Sequence, residues 1–216
     1  MIIKLCGFTD PEQAADAARL GATHVGLVLW AGSKRAVTDE GAARRIVQAI
    51  QAAGAEAVAV VVDHPDLLGL IARIGADRVQ LHGDEPLTVA ADLRGAGIPF
   101  WRAVRLGRGS AEQREAEVAA WIAAGADACV LDAFVPGEPG GTGAQVDLAL
   151  AGRIAQRHTA VLAGGLTPDN VGAAIKAARP GGVDVASGIE RAPGDKDTQR
   201  MRRFVQAARD AAAETA

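Results

Sequence analysis

The chain has 216 residues, 49% hydrophobic and 23% charged, a balance that suits one globular domain with a sizeable core. Its net charge of −3 offers no basic surface for nucleic acid or an anionic membrane, and no apolar run reaches the roughly 20 residues that span a bilayer. Two cysteines, Cys6 and Cys129, lack metal-ligand spacing and suit free thiols in a reducing cytoplasm, as does an N-terminus too quickly polar for a signal peptide.

In chain order, short runs rich in Val, Ile or Leu alternate with Ala-rich stretches of helical period. A strand over Ile2–Cys6 leads to a helix over Pro11–Leu20, and a strand over His24–Leu29 to a helix over Asp39–Ala53. Ala57–Val62 and Pro65–Ile74, then Arg78–Leu81 and Pro86–Arg94, repeat the unit. Phe100–Val104 with Ala111–Ala123, and Ala128–Leu131 with Asp147–Gln156, continue it. Thr159–Leu162 with Pro168–Ala177, and Val183–Val185 with Thr198–Ala213, complete the series.

Thr9-Asp10-Pro11, Asp63-His64-Pro65, Asp84-Glu85-Pro86 and Thr167-Pro168 each set a capping side chain beside a proline, the mark of a helix start. The phrases Gly21-Ala22-Thr23, Gly75-Ala76-Asp77 and Gly125-Ala126-Asp127 read as helix C-caps that feed the next strand.

Strands apolar almost throughout suit a parallel sheet covered on both faces. Their repeated alternation with helices implies an α/β fold, a single (β/α)8 TIM barrel over residues 1–216. An open doubly wound sheet is the runner-up, but no GxGxxG follows the first strand. The longest irregular piece, Ala133–Gln145, is glycine-rich, and a long loop in a compact barrel is usually functional.

Barrel chemistry sits at the C-terminal strand ends. Ile2, Lys4 and Cys6 share one strand face, so an inward face brings a lysine and a thiol together at the top of the core. The ammonium then lowers the thiol pKa and makes Cys6 a candidate base, against the plainer reading of a small core cysteine. Cys129 has the opposite parity to Asp132 and reads as core packing against the helices. Asp132 ends an apolar strand and is a candidate general acid, with a cap or surface ion pair as the alternative. Gly164-Gly165 and Ser187-Gly188 follow two successive strands and form a nest of backbone N–H groups suited to phosphate. Arg35 is either a fork for a substrate carboxylate or solvated surface charge. His82 is a candidate ligand or acid whose commoner role is structural, and Asp184 reads as an orienter of its neighbours.

Lys4-Leu5-Cys6-Gly7, Val79-Gln80-Leu81-His82-Gly83, Leu131-Asp132, Gly140-Gly141-Thr142-Gly143, Leu162-Ala163-Gly164-Gly165-Leu166-Thr167-Pro168-Asp169-Asn170-Val171 and Gly182-Val183-Asp184-Val185-Ala186-Ser187-Gly188-Ile189-Glu190 occur in that order along the whole chain. Together they resemble the phosphoribosylanthranilate isomerases of tryptophan biosynthesis. The resemblance implies a cofactor-free Amadori rearrangement of N-(5-phosphoribosyl)anthranilate to 1-(2-carboxyphenylamino)-1-deoxyribulose 5-phosphate. By position, Asp132 is its general acid, Cys6 its base and Arg35 the holder of the anthranilate carboxylate. Lys4, Gln80, His82, Gly141 and Gly143 are the other expected substrate-binding positions, and Gly164, Gly165, Ser187 and Gly188 the phosphate site. A small phosphosugar is then the partner of a monomer or homodimer, with no metal, nucleic acid or membrane.

The family pattern is altered at Val146-Asp147-Leu148, at Ala186 and in the aromatic-poor Trp30–Ala36. Another phosphosugar barrel enzyme is the nearer alternative, but a synthase would need a lysine–glutamate set and an N-terminal extension, and an epimerase metal ligands. A non-catalytic phosphosugar-binding barrel is the other alternative, and it would have no use for the Cys6–Asp132 pair.

Overall fold

A computed structural model describes residues 1–133 and 147–215. The alternation resolves into β1 (Ile2–Cys6), α1 (Pro11–Arg19), β2 (His24–Val28), α2 (Glu40–Ala52), β3 (Glu56–Val61), α3 (Leu67–Ile74), β4 (Arg78–Leu81) and α4 (Val89–Gly95). The second half follows as β5 (Phe100–Arg105), α5 (Ala111–Ala123), β6 (Ala128–Asp132), α6 (Leu148–Ala155), β7 (Ala160–Leu162), α7 (Val171–Ala178) and β8 (Gly182–Val185). Strands β1 to β8 pair in parallel in sequence order and close on one another through β1 and β8. A short hairpin, β9 (Glu190–Ala192) and β10 (Asp195–Lys196), precedes α8 (Thr198–Thr215) and was not expected from the apolar pattern. Among the described residues, no helix is long and apolar enough to cross a membrane.

Two apolar zones follow from strand parity. Leu5, Val25, Ala59, Leu81, Cys129 and Val183 point outward and meet the helices. Trp101, Ala103, Ala128, Val130, Val161 and Ala163 point inward and fill part of the barrel. Cys129 therefore packs as expected, and burial pushes its thiol up to about 12. The N-terminal mouth is plugged by Trp101, which stacks on His24 at 4.9 Å and lies under the Arg78 guanidinium at 5.1 Å. Burial there pushes His24 down to about 4, so it stays neutral at pH 7.

The caps are partly redistributed. Asp10 accepts from Glu12 and Gln13 at the head of α1, and Gly21, Gly75 and Gly125 have φ of +102°, +74° and +106°, as the C-cap reading requires. The other proline-marked starts lie later than expected. Asp66, not Asp63, caps α3, α4 begins at Val89 and α7 at Val171. The upstream residues are used in turns instead. Asp63, at φ +45°, accepts from Asp84 N–H at 3.0 Å, and Thr167 N–H donates to Asn170 Oδ1 at 2.7 Å.

Candidate active site

Cys6, Gln80, His82 and Asp132 gather with Val28, Val60 and Val185 toward the C-terminal ends of the strands. They line a cavity of about 640 Å³, a size suited to a small molecule. Cys6, Gln80, His82, Asp132, Gly164 and Ser187 all face it, from five different strand ends. Gly141 and Gly143 lie outside the described residues.

The floor beside β1 is ionic. Lys4 is fully enclosed, and its Nζ donates to Asp184 Oδ2 at 2.7 Å, directly across the β1–β8 pair. Burial opposes the lysine's charge, but the Asp184 carboxylate and Cys6 outweigh it and hold Lys4 above its ordinary value. Lys4 does not line the cavity; it sits one inward position below Cys6, so it supports the thiol where direct substrate contact was expected. Asp184, read from the sequence as an orienter, pairs with Lys4 through Oδ2, and among the described residues its Oδ1 has no partner.

Space for this pair comes from Gly26 on β2. A Cβ there would fall 2.6 Å from Cys6 Sγ and 3.2 Å from Lys4 Cε. Nothing near Gly26 in sequence singles it out, because the collision is with residues some 20 positions away.

One expectation is corrected at Cys6. Burial pushes the thiol above its ordinary value and the Asp184 carboxylate adds to the rise, against the lowering effect of Lys4 and Lys196. The nearby ammonium exists as expected, but desolvation of the thiolate is the larger effect.

Across the cavity, Asp132 is held asymmetrically. Its Oδ1 accepts from the Ala133 N–H at 2.8 Å, while Oδ2 stands 3.6 Å from His82 Nε2. His82 Nδ1 lies 3.1 Å from Gln80 Nε2, which is two residues back on the same strand face. Among the described residues, Gln80 Oε1 and His82 Nε2 have no hydrogen-bond partner. The amide donating to Nδ1 leaves the proton on Nε2, aimed at the carboxylate. His82 thus has a spatial partner that its sequence neighbourhood did not reveal.

The glycine turns meet as expected of a phosphate nest. Gly164 and Gly165 have φ of +86° and +65°, and Ser187 opens a 3-10 turn over Ser187–Ile189. Gly188 packs against the backbone of Leu166, so the two turns touch. A Cβ there would collide with Leu166 O and approach Thr167 Cα at 3.1 Å. Gly188→Ala is expected to force these turns apart, raising KM about tenfold with kcat nearly kept. It is also expected to cost about 1–3 kcal/mol of stability, read by denaturant titration alongside the kinetics. An unchanged KM would remove the turn from the binding site.

Arg35 is neither solvated nor free. Its Nε and Nη2 donate to both oxygens of Glu190, at 2.8 and 2.6 Å. These bonds raise the guanidinium pKa further. Lys196, also enclosed, donates to Glu190 Oε1 at 2.6 Å and to the Cys6 carbonyl at 2.5 Å. Burial alone would lift Glu190, but Arg35 and Lys196 together hold its carboxyl below the ordinary range. Glu190 ends the last motif quoted from the sequence but was given no role there, and Lys196 was not singled out. The available signal was Pro193-Gly194 between them, a two-residue hairpin turn with Gly194 at φ +84°.

Residues 3–207 match the family model described as N-(5'phosphoribosyl)anthranilate (PRA) isomerase. An N-(5'-phosphoribosyl)anthranilate isomerase of Pseudomonas aeruginosa is 40% identical over 208 residues, covering 96% of this chain and 94% of that protein. The crystal structure of phosphoribosyl anthranilate isomerase from Thermotoga maritima superposes with a TM-score of 0.84 at 31% identity, over 97% of this chain and all of that one (100%). Another such enzyme, solved in complex with reduced 1-(o-carboxyphenylamino)-1-deoxyribulose 5-phosphate, gives a TM-score of 0.81 at 30% identity, over 97% of this chain and 100% of that one.

Proposed function

The chain belongs to the N-(5'-phosphoribosyl)anthranilate isomerase family and isomerises N-(5-phosphoribosyl)anthranilate in tryptophan biosynthesis, and we propose that Asp132 and Cys6 carry the two proton transfers of that step. What supports the assignment is that an acid and a base line one cavity from separate strand ends, with the paired glycine turns on the same rim.

Asp132 gives its proton to the furanose ring oxygen, and the C1–O bond breaks as the anthranilate nitrogen lends its electron pair. The ring opens to a protonated Schiff base. Cys6, as thiolate, takes the proton from C2, and those electrons neutralise the iminium to give an enolamine. Reprotonation at C1 and loss of the C2 hydroxyl proton give the ketone, 1-(2-carboxyphenylamino)-1-deoxyribulose 5-phosphate. Atoms and charge balance, because the proton lent by Asp132 and the one taken by Cys6 cancel over the cycle.

The remaining residues hold the substrate. Gly164, Gly165, Ser187 and Gly188 receive the phosphate, and Arg35 receives the anthranilate carboxylate. Gln80 and His82 border the ribose beside Asp132, and Lys4 acts from behind Cys6. One chain supplies all of these groups and acts as one catalytic unit, as either a monomer or a homodimer. Its free thiols suit the cytoplasm.

The test is a fluorescence assay in which anthranilate and phosphoribosyl pyrophosphate are converted in situ to the substrate. The expected result is loss of substrate fluorescence at a rate proportional to this protein. A folded protein without turnover would return the cavity to another phosphosugar or to binding alone.

A further inference from the structure

The hairpin β9–β10 lies beyond the last barrel strand, where a chain needs only to pass into α8. It instead places two buried charges against the active site. Glu190 and Lys196 face each other across it, and the Pro193-Gly194 turn sets their spacing, with Gly194 N–H donating to Glu190 Oε1 at 3.2 Å. Lys196 Nζ is tied to the carbonyls of Cys6 and Ala186, at 2.5 and 3.3 Å, and lies 5.1 Å from the Phe8 ring centre. The hairpin is thus anchored to the ends of β1 and β8. It presents one carboxylate to Arg35, a residue 155 positions away in sequence.

We propose that Glu190 is the positioning residue of Arg35, holding its guanidinium by one edge so that the other edge is set for the carboxylate of the substrate. A guanidinium has two edges that accept a carboxylate in a fork, one made by Nε and Nη2 and one by Nη1 and Nη2. Glu190 occupies the first. The stem is fixed as well, because it crosses Gly7, where a Cβ would fall 2.5 Å from Arg35 Cδ. Gly7 has φ +81° and lies next to Cys6, so Arg35 is fixed beside the proposed base. Glu190 is itself enclosed and fixed by Lys196, so the orientation of Arg35 is set before substrate arrives. An arginine already immobilised loses less rotamer entropy on binding, and its selectivity for a planar carboxylate is sharpened. The proposal rests on the reading that Arg35 takes the anthranilate carboxylate.

The test compares two inhibitors: the reduced product amine, 1-(2-carboxyphenylamino)-1-deoxyribitol 5-phosphate, and its counterpart without the ring carboxyl. Their Kd values are measured for wild type, Glu190→Gln and Arg35→Gln. Glu190→Gln is expected to weaken the carboxylated ligand about three- to tenfold more than the carboxyl-free one. Arg35→Gln is expected to show a larger selective loss, and the double variant no more selectivity loss than Arg35→Gln alone. A merely structural Glu190, or a disturbance of Cys6 through Lys196, would weaken both ligands alike. Equal losses, or none, with Arg35→Gln still selective, overturn the proposal and leave the Arg35 reading standing. An unselective Arg35→Gln sinks both. If Glu190→Gln does not fold, Glu190→Asp, one methylene too short for the fork, is read by the same ratio.

Discussion

Cys6→Ala is expected to lower kcat by about 10²- to 10⁴-fold, the range that a positioned general base supplies, while KM changes little. The split follows from geography. The proposed phosphate turns and Arg35 would bind through groups other than the Cys6 side chain, so the ground state keeps its contacts. Cys6→Ser is expected to fall as far, because a hydroxyl in the same place is a much poorer source of a base at neutral pH. The pH profile carries the stronger test. Burial, aided by Asp184, lifts the thiol above its ordinary value, so at pH 7 the free protein holds it mostly protonated. The thiolate fraction therefore rises with pH and continues to rise past the ordinary thiol range, and kcat/KM carries that ionisation together with the need for Asp132 to keep its proton. Alkylation of Cys6 by iodoacetamide should share that midpoint, with Cys129 enclosed and its thiol pushed up to about 12. Lys4→Met removes a cation that favours thiolate and should move the midpoint higher still; Asp184→Asn removes a carboxylate that opposes it and should move it lower. A wild-type profile that matches Cys6→Ser would end the base role.

That profile also marks where sequence reading stopped. Parity along β1 and β6 put Lys4, Cys6 and Asp132 on inward faces and Cys129 on an outward one, and the structure agrees, because the two-residue period of a strand is local. The glycine turns were legible for the same reason. The thiol's pKa was not, since it is a sum over burial, Asp184, Lys4 and Lys196, three charges that reach it from different parts of the chain. Arg35 could be read as a fork but not as an engaged one, because Glu190 enters from a hairpin whose short strands carry no apolar run. Gly26 likewise has meaning only through Cys6 and Lys4 across the strand pair. Local periodicity was thus enough to bring Cys6, Asp132 and the glycine turns to one end of the barrel, and long-range charge pairing decided what surrounds them.

Asp132→Asn is expected to cost kcat about 10²- to 10⁴-fold with the fold and KM retained, since the amide is isosteric and cannot give up a proton. The hydrogen bonds dictate how it sits. Ala133 N–H requires an acceptor at the Oδ1 position, so the asparagine carbonyl takes that place and its NH2 turns toward His82 Nε2. His82 then has to accept there and carry its proton on Nδ1, and the free Oε1 of Gln80 can receive it by rotation of the amide. The variant therefore loses proton donation without adding to the buried polar groups left unsatisfied, and its denaturation midpoint should stay close to wild type. The Ala133 N–H engages Oδ1, so Oδ2 is the oxygen through which the proposed acid would act. His82→Ala should then be milder than Asp132→Asn, because it removes a neighbour of the acid and not the acid. Steady-state kinetics of the two variants, measured with the fluorescence assay, separate these roles. Full activity in Asp132→Asn would transfer the acid to His82, and equal losses would make the pair, not the carboxyl alone, the proton donor.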